Sequence, residues 1–279
     1  KKGMRVLFTC GGTAGHVNPA VALAQMFQTR NSGCEVLFVG ADGGMLLEVL
    51  KGEGVDVSML AVHESEASGH TFIQVTEDGE NGILYYPGTN GRVTVESMLL
   101  ALDACEKDDI VMLQNELPDT AGLIEAALER GLRTVLNPSP FDASLLKAPL
   151  ERLYALIVNE TEARGFLADE AEGVEAAGLM ALLERRYPDV NLILTLGSRG
   201  ACGRVPGAEP FFVPAVKMKA VDTTGAGDTF AGYAVAALAA GEDLRTAMNR
   251  AAKASAISVT REGAATSIPR RSEVEALAV

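Results

Sequence analysis

The chain is short of positive charge. Lysine and arginine number 24 against 37 aspartates and glutamates, a formal net charge of −13 over 279 residues, and the pI is near 4.8. Such a surface repels phosphate backbones, which argues against nucleic-acid partners. Small anions remain possible ligands, because local backbone donors can hold them. Long hydrophobic runs are missing too, and nothing nears the roughly 18 consecutive apolar residues of a membrane span. Lys1-Lys2-Gly3-Met4 is basic, but the apolar run behind it, Val6 to Phe8, is too short for a signal peptide. Met4 reads as a native start preceded by three extra residues. The four cysteines (Cys10, Cys34, Cys105, Cys202) lie far apart, with neither metal-ligand spacing nor a disulfide framework. The expectation from these absences is a cytoplasmic protein with no membrane partner.

What is present is core-forming: 48% apolar residues and only 22% charged. Arg5–Thr9 reads as a strand, followed by the Gly-rich turn Gly11-Gly12-Thr13-Ala14-Gly15. Asn18 then stands as an N-cap with Pro19 at the first helical position, starting a helix to about Thr29. Glu35–Val39 is the next strand, so the opening is a βαβ unit and predicts a parallel sheet. A helix over 43–53 follows. His70 to Tyr86 alternates around the polar turn Glu77–Asn81, a hairpin pattern, and a small β flap over 62–92 is expected. Alternation resumes with strands at 109–114, 133–136, 155–158 and 191–195. Helices are expected at 94–105, 119–130 and 143–152, with two more between 160 and 187. A second hairpin spans 200–214, and two Ala-rich helices, 226–240 and 243–259, are split by Gly241. One three-layer α/β/α domain over 1–279, with a mostly parallel sheet and a reduced hairpin flap, fits this pattern.

The chemistry concentrates in Val221-Asp222-Thr223-Thr224-Gly225-Ala226-Gly227-Asp228-Thr229-Phe230. Small residues at a helix N-terminus let backbone N–H groups converge on a ligand at the positive end of the dipole. That suits the charge developing on a transferring phosphoryl group. Asp228, on the first turn, could accept the proton of an attacking hydroxyl. A turn with a helix-capping aspartate is the plainer alternative.

The stretch Asp222–Phe230 resembles the C-terminal signature of the ribokinase-like (PfkB) sugar kinases, and other segments agree in the family's order. Asn159-Glu160-Thr161-Glu162 resembles its Asn-x-x-Glu motif, Thr195–Gly200 its nucleotide-phosphate loop, and Val259–Pro269 its adenine and monovalent-cation loop. Leu113-Gln-Asn-Glu116 and Asn137-Pro-Ser-Pro140 are similar to family segments as well. The resemblance covers about residue 43 to the C-terminus and implies an ATP-dependent kinase of a small sugar with the ribokinase-like fold. It implies Asp228 as catalytic base and the amides of Gly225, Ala226 and Gly227 as anion hole. Asn159 and Glu162 would organise Mg²⁺ near the phosphates; their spacing also fits a helix cap with its capping box. Thr195, Gly197 and Gly200 would line the ATP tail. Asp222, Thr224, Gly263 and Ser267 match the loops that hold K⁺. At Ala252 the family often carries a polar residue beside adenine. Glu116 matches a carboxylate that bonds sugar hydroxyls, or it is a solvated loop acid.

Residues 4–44 depart from this pattern. The family's Asn-x-Asp sugar motif is absent. Gly11-Gly12-Thr13-Ala14-Gly15-His16-Val17-Asn18 instead resembles the opening of MurG-type N-acetylglucosaminyltransferases. The expectation is a hybrid: a transferase-like βαβ unit on a sugar-kinase body. Gly11, Gly12 and Asn18 would stand in for the family's glycines and asparagine at the sugar, and His16 is an added polar contact or an exposed loop residue. A homodimer through the flap is a further expectation. The competing functions are a nucleotide-binding protein with little kinase turnover and, on residues 4–44 alone, glycosyl transfer.

Overall fold

Aliphatic runs alternate with alanine- and leucine-rich helices along the chain, and the apolar runs become the strands of one sheet. The computed structural model describes residues 5–9, 18–27, 35–42, 45–62, 65, 67, 69–75 and 81–278. β1 (Arg5–Thr9) leads to α1 (Asn18–Phe27), β2 (Glu35–Asp42), α2 (Met45–Gly52) and the short β3 (Leu60–Val62). A separate hairpin follows, β4 (His70–Val75) with β5 (Asn81–Tyr86). Then come α3 (Val95–Ala104), β6 (Ile110–Gln114), α4 (Thr120–Glu129), β7 (Arg133–Asn137), β8 (Ala155–Asn159) and α5 (Glu160–Leu167). The chain continues through α6 (Ala176–Arg186), β9 (Asn191–Thr195), β10 (Gly200–Arg204), β11 (Phe211–Pro214), α7 (Ala226–Ala239), α8 (Leu244–Ser258) and α9 (Arg271–Ala276).

The main sheet has the order β11-β10-β9-β8-β7-β6-β1-β2-β3. Every pairing from β9 to β3 is parallel, and β10 and β11 close one edge antiparallel. The strand order reverses beside β1: the chain first builds outward through β2 and β3, then returns to β6 on the other side. The carboxyl ends of β1 and β6 therefore flank a topological switch point, where open α/β sheets place ligands.

Both faces of the sheet are covered, as the near-continuous apolar strands require. Along β6, Ile110 and Met112 face a layer built on α1, α7 and α8, while Val111 and Leu113 face α3 to α6. β8 divides the same way, Ala155 and Ile157 against Leu156 and Val158. α7 is buried from Thr229 to Ala239, because it lies between the sheet, α1 and α8. Its crossing with α1 is close: a side-chain carbon at Gly232 would come within 2.5 Å of the Pro19 carbonyl oxygen. Among the described residues no helix is long and apolar enough to cross a membrane.

One expected helix does not form. Residues 143–152 are two 3₁₀ turns, Ala143–Lys147 and Leu150–Arg152. Pro149 supplies no N–H and pushes the residue before it out of the helical region; Ala148 is extended, at φ −77° and ψ 153°. The short β3 and α9 were not expected, being too brief to leave a periodic signal.

Candidate active site

α7 starts where Gly225 takes the left-handed conformation, φ 73°. The Gly225 carbonyl accepts from the Thr229 amide at 2.8 Å and from the Thr229 hydroxyl at 2.9 Å, which seals the first turn. The Ala226 amide donates to the Thr223 carbonyl at 3.2 Å. The amides of Gly225 and Gly227 find no acceptor among the described residues, so two of the three expected donors stay open and the third is shared with a turn. Gly227 is exposed and Asp228 half-buried, at the helix's positive end.

Asp228 points back over the switch point. Its Oδ1 accepts from Gln114 Nε2 at 3.2 Å, and its Oδ2 lies 3.5 Å from Asn18 Nδ2. Gln114 is the last residue of β6 and Asn18 the first of α1, and neither has any exposed surface. Among the described residues, Asn18 Oδ1 and Gln114 Oε1 are buried without a hydrogen-bond partner. Buried acceptors of this kind in native proteins call for a ligand or water. Glu116 lies two residues beyond β6 and is buried. The loop carrying it is tied to the next one by Asn115, which donates from its amide to the Ser139 carbonyl (3.3 Å) and from Nδ2 to the Pro140 carbonyl (2.9 Å).

The end of β8 supplies a second acidic group. Asn159 Oδ1 accepts from the Glu162 amide at 2.8 Å and Glu162 Oε2 from the Asn159 amide at 2.9 Å. That is the capping box, so these two residues do close the start of α5. The carboxyl of Glu162 is nevertheless unusual. Burial pushes it up from 4.5 to about 7; the Asn159 amide opposes this and the charge of Asp228 adds to it. A carboxyl raised by burial and by the charge of a second carboxylate identifies a candidate functional cleft.

Thr195 lies beside Asn159 in the register of β8 and β9, and its hydroxyl donates to the Val158 carbonyl at 3.3 Å. Gly197 and Gly200 bound the turn that follows, which is anchored by a salt bridge between Arg199 and Glu160. Asp222 joins two further loops. Its Oδ1 accepts from the Thr224 amide at 2.9 Å and its Oδ2 from the Gly263 amide at 3.0 Å. The Thr224 and Gly263 bonds hold its carboxyl below the usual range. Ser267 is buried and its hydroxyl donates to the Ala264 carbonyl at 2.7 Å. Among the described residues no cluster of histidine, cysteine and acidic side chains could by itself hold a metal.

The sequence matches the pfkB family carbohydrate kinases over residues 1–271. The chain belongs to that family. Its curated relatives include a ribokinase of Schizosaccharomyces pombe, 34% identical over 96% of this chain and 86% of that protein. A ribokinase of Staphylococcus aureus is 33% identical over 95% of this chain and 86% of its own. Among solved structures, the ribokinase of Cryptococcus neoformans in complex with ADP superposes with a TM-score of 0.82, at 31% identity over 98% of this chain and 99% of that one. An Arabidopsis thaliana ribokinase complexed with ribose and ATP shares the fold with a TM-score of 0.82, at 22% identity over 98% of both chains. As a pfkB-family member the chain is an ATP-dependent carbohydrate kinase with the ribokinase-like fold.

The family match reaches residue 1 and so takes in the stretch read above as transferase-like. The kinase relationship extends across residues 4–44, and their glycosyltransferase likeness finds no support in it. Gly11, Gly12 and His16 fall outside the described residues. Asn18 is brought against Asp228, as are Gln114 and, through charge, Glu162. Two members of this cluster, Gln114 and Asn137, carried no role in the sequence reading. Asn137 Oδ1 accepts from Gln114 Nε2 at 3.1 Å. The signal available was an amide at the last position of each of two strands, directly after an apolar pair (Met112-Leu113 and Val135-Leu136).

Proposed function

We propose that this kinase transfers the γ-phosphoryl group of ATP to a hydroxyl of ribose or a related small sugar, with Asp228 as general base. The observation that carries the reading is the placement of Asp228. It is a carboxylate on the first turn of α7, over the switch point, between two fully buried amides and beside open backbone donors. Asp228 takes the proton of the acceptor hydroxyl, whose oxygen attacks the γ-phosphorus. The bond to the β-phosphate oxygen breaks and ADP leaves. Charge spread over the transferring group meets the N-terminus of α7, where the Gly225 and Gly227 amides are open and Ala226 completes the cradle.

The sugar belongs over the ends of β1 and β6, facing Asn18 and Glu116. The buried, unpartnered Asn18 Oδ1 and Gln114 Oε1 fit hydroxyl donors. ATP belongs along Asn159, Glu162, Thr195, Gly197 and Gly200, on neighbouring strand ends. Mg²⁺ would be held near Asn159 and Glu162, where a cation would favour the ionised form of the buried Glu162 carboxyl, and with the nucleotide it would supply positive charge against the phosphates. K⁺ would be held by carbonyl and hydroxyl oxygens of the loops carrying Asp222, Thr224, Gly263 and Ser267, where it would supply fixed positive charge beside the nucleotide. Both Asp222 oxygens already serve to hold the two loops together. A second copy pairing through the β4–β5 hairpin is part of the same reading.

A coupled ADP-release assay over pentoses, hexoses and nucleosides tests it. Asp228→Asn is expected to lower kcat by about 10²–10⁴-fold with the KM for ATP little changed. Unaltered turnover in that variant would remove Asp228 as base.

A further inference from the structure

We infer that Gln114 is a positioning residue of the phosphoryl transfer, holding the Asp228 carboxylate through a relay that begins at Asn137. This rests on the reading of Asp228 as base. The relay is built from the backbone outward. The Ile157 carbonyl on β8 accepts from Asn137 Nδ2 at 3.1 Å. That turns Asn137 Oδ1 toward β6, where it accepts from Gln114 Nε2 at 3.1 Å. The same nitrogen donates to Asp228 Oδ1 at 3.2 Å.

The direction of every bond is set. Gln114 Nε2 has two hydrogens and meets two acceptors, and the flipped amide would set Oε1 against two oxygens. Asn137 is fixed in turn, because only its nitrogen can face the Ile157 carbonyl. A carboxylate on the first turn of a helix keeps rotamer freedom of its own. Here one oxygen is pinned to the last residue of a central strand with no exposed surface. Three neighbouring strands, β6, β7 and β8, supply the relay, and the sheet is the stiffest support the molecule offers. Burying an amide at the end of an apolar strand carries a desolvation cost, and the relay to Asp228 offsets it.

Three variants of the full chain test this, using ATP and the best acceptor from the sugar screen. Gln114→Met keeps the length of the side chain and removes the donor. We expect kcat to fall about 10–100-fold, the loss that follows a small misplacement of a reacting group. The KM for ATP should stay within about threefold, as should the affinity for ATP by calorimetry; the sugar KM is expected to rise, because the substitution also removes the Oε1 acceptor offered to the sugar. Asn137→Ala, at a half-buried position, releases the Gln114 amide without touching Asp228 or the Gln114 acceptor, and should lower kcat several-fold with the KM values for ATP and sugar both within about threefold of wild type. A kcat within twofold of wild type in both would overturn the relay, as would a loss shared equally by ATP affinity and urea-unfolding midpoint. Asp228→Asn separates the two readings. If it is inactive while Gln114→Met and Asn137→Ala are not impaired, positioning fails alone; if it turns over normally, the base itself is wrong.

Discussion

Glu162 makes the folding of this kinase depend on pH in a direction opposite to most carboxylates. Its side chain is buried at the start of α5, and its carboxyl is pushed up from 4.5 to about 7, chiefly by burial. The unfolded chain releases this proton near 4.5 and the folded chain holds it to about 7. Between those values the native state binds more protons, so stability falls as pH rises. The contribution is intact below 4.5 and lost by about pH 7. At about 1.4 kcal/mol per pKa unit, about 2–3 kcal/mol disappears between pH 5 and pH 8. Glu162→Gln removes the titration while keeping an acceptor for the Asn159 amide, since glutamine also closes a capping box. Any fixed cost of the amide cancels when two pH values are compared. Urea unfolding of wild type and variant at pH 5 and pH 8 reads the difference. The variant should gain about 2–3 kcal/mol on wild type between the two, and a gain below 0.5 kcal/mol would refute the buried, proton-holding carboxyl. In an Asp228→Asn background the swing should shrink, because the Asp228 charge is part of what raises Glu162.

Gly225→Ala should cost about 1–2 kcal/mol, since a side chain is strained at φ 73°. The new carbon would also come within 2.8 Å of Asn18 Nδ2, so kcat should drop more than the thermal midpoint suggests; steady-state kinetics beside a melt check this. Asp222→Ala releases the Thr224 and Gly263 amides from a shared acceptor. It should raise the KM for ATP severalfold at pH 7 with little change in the sugar KM, and equal KM values would count against a role in the nucleotide loops. Tyr233→Phe deletes a buried hydroxyl that donates to the Pro269 carbonyl at 2.5 Å. It should cost about 1–3 kcal/mol in urea unfolding while leaving kcat unchanged.

Much of this architecture was legible because its signals are local. Gly-Ala-Gly-Asp before an alanine-rich run marks a helix start, and the apolar stretch ending at Gln114 marks a strand, whatever surrounds them. The expected helix over 143–152 failed for an equally local reason, the amide missing at Pro149. What stayed hidden was the company each residue keeps. Gln114 and Asp228 are 114 positions apart, and nothing along the chain says that the end of β6 faces the first turn of α7. Asn159 and Glu162 show the limit from the other side. Their spacing fitted a capping box and a nucleotide site alike. The fold builds the capping box and then buries its carboxyl where the charge of Asp228 reaches it.

The N-terminal unit makes the same point about resemblance. A strand, a glycine-rich stretch and a helix opening on Asn-Pro are local signals that suit a βαβ unit in any family, so two families that begin this way can look alike over forty residues without sharing chemistry. What ties this unit to the kinase lies elsewhere. β1 is seated between β2 and β6 in the parallel sheet. The residues of α1 from Asn18 to Met26 are all buried, and Pro19 and Ala22 press on Gly232 of α7, where no side chain would fit. Gly232 lies four residues beyond Asp228, on the same face of the same helix. The contact that seats α1 therefore also fixes the height at which Asn18 meets the Asp228 carboxylate. On this geometry the opening segment is an integral part of the kinase body, and the helix bearing the proposed base is packed to its shape.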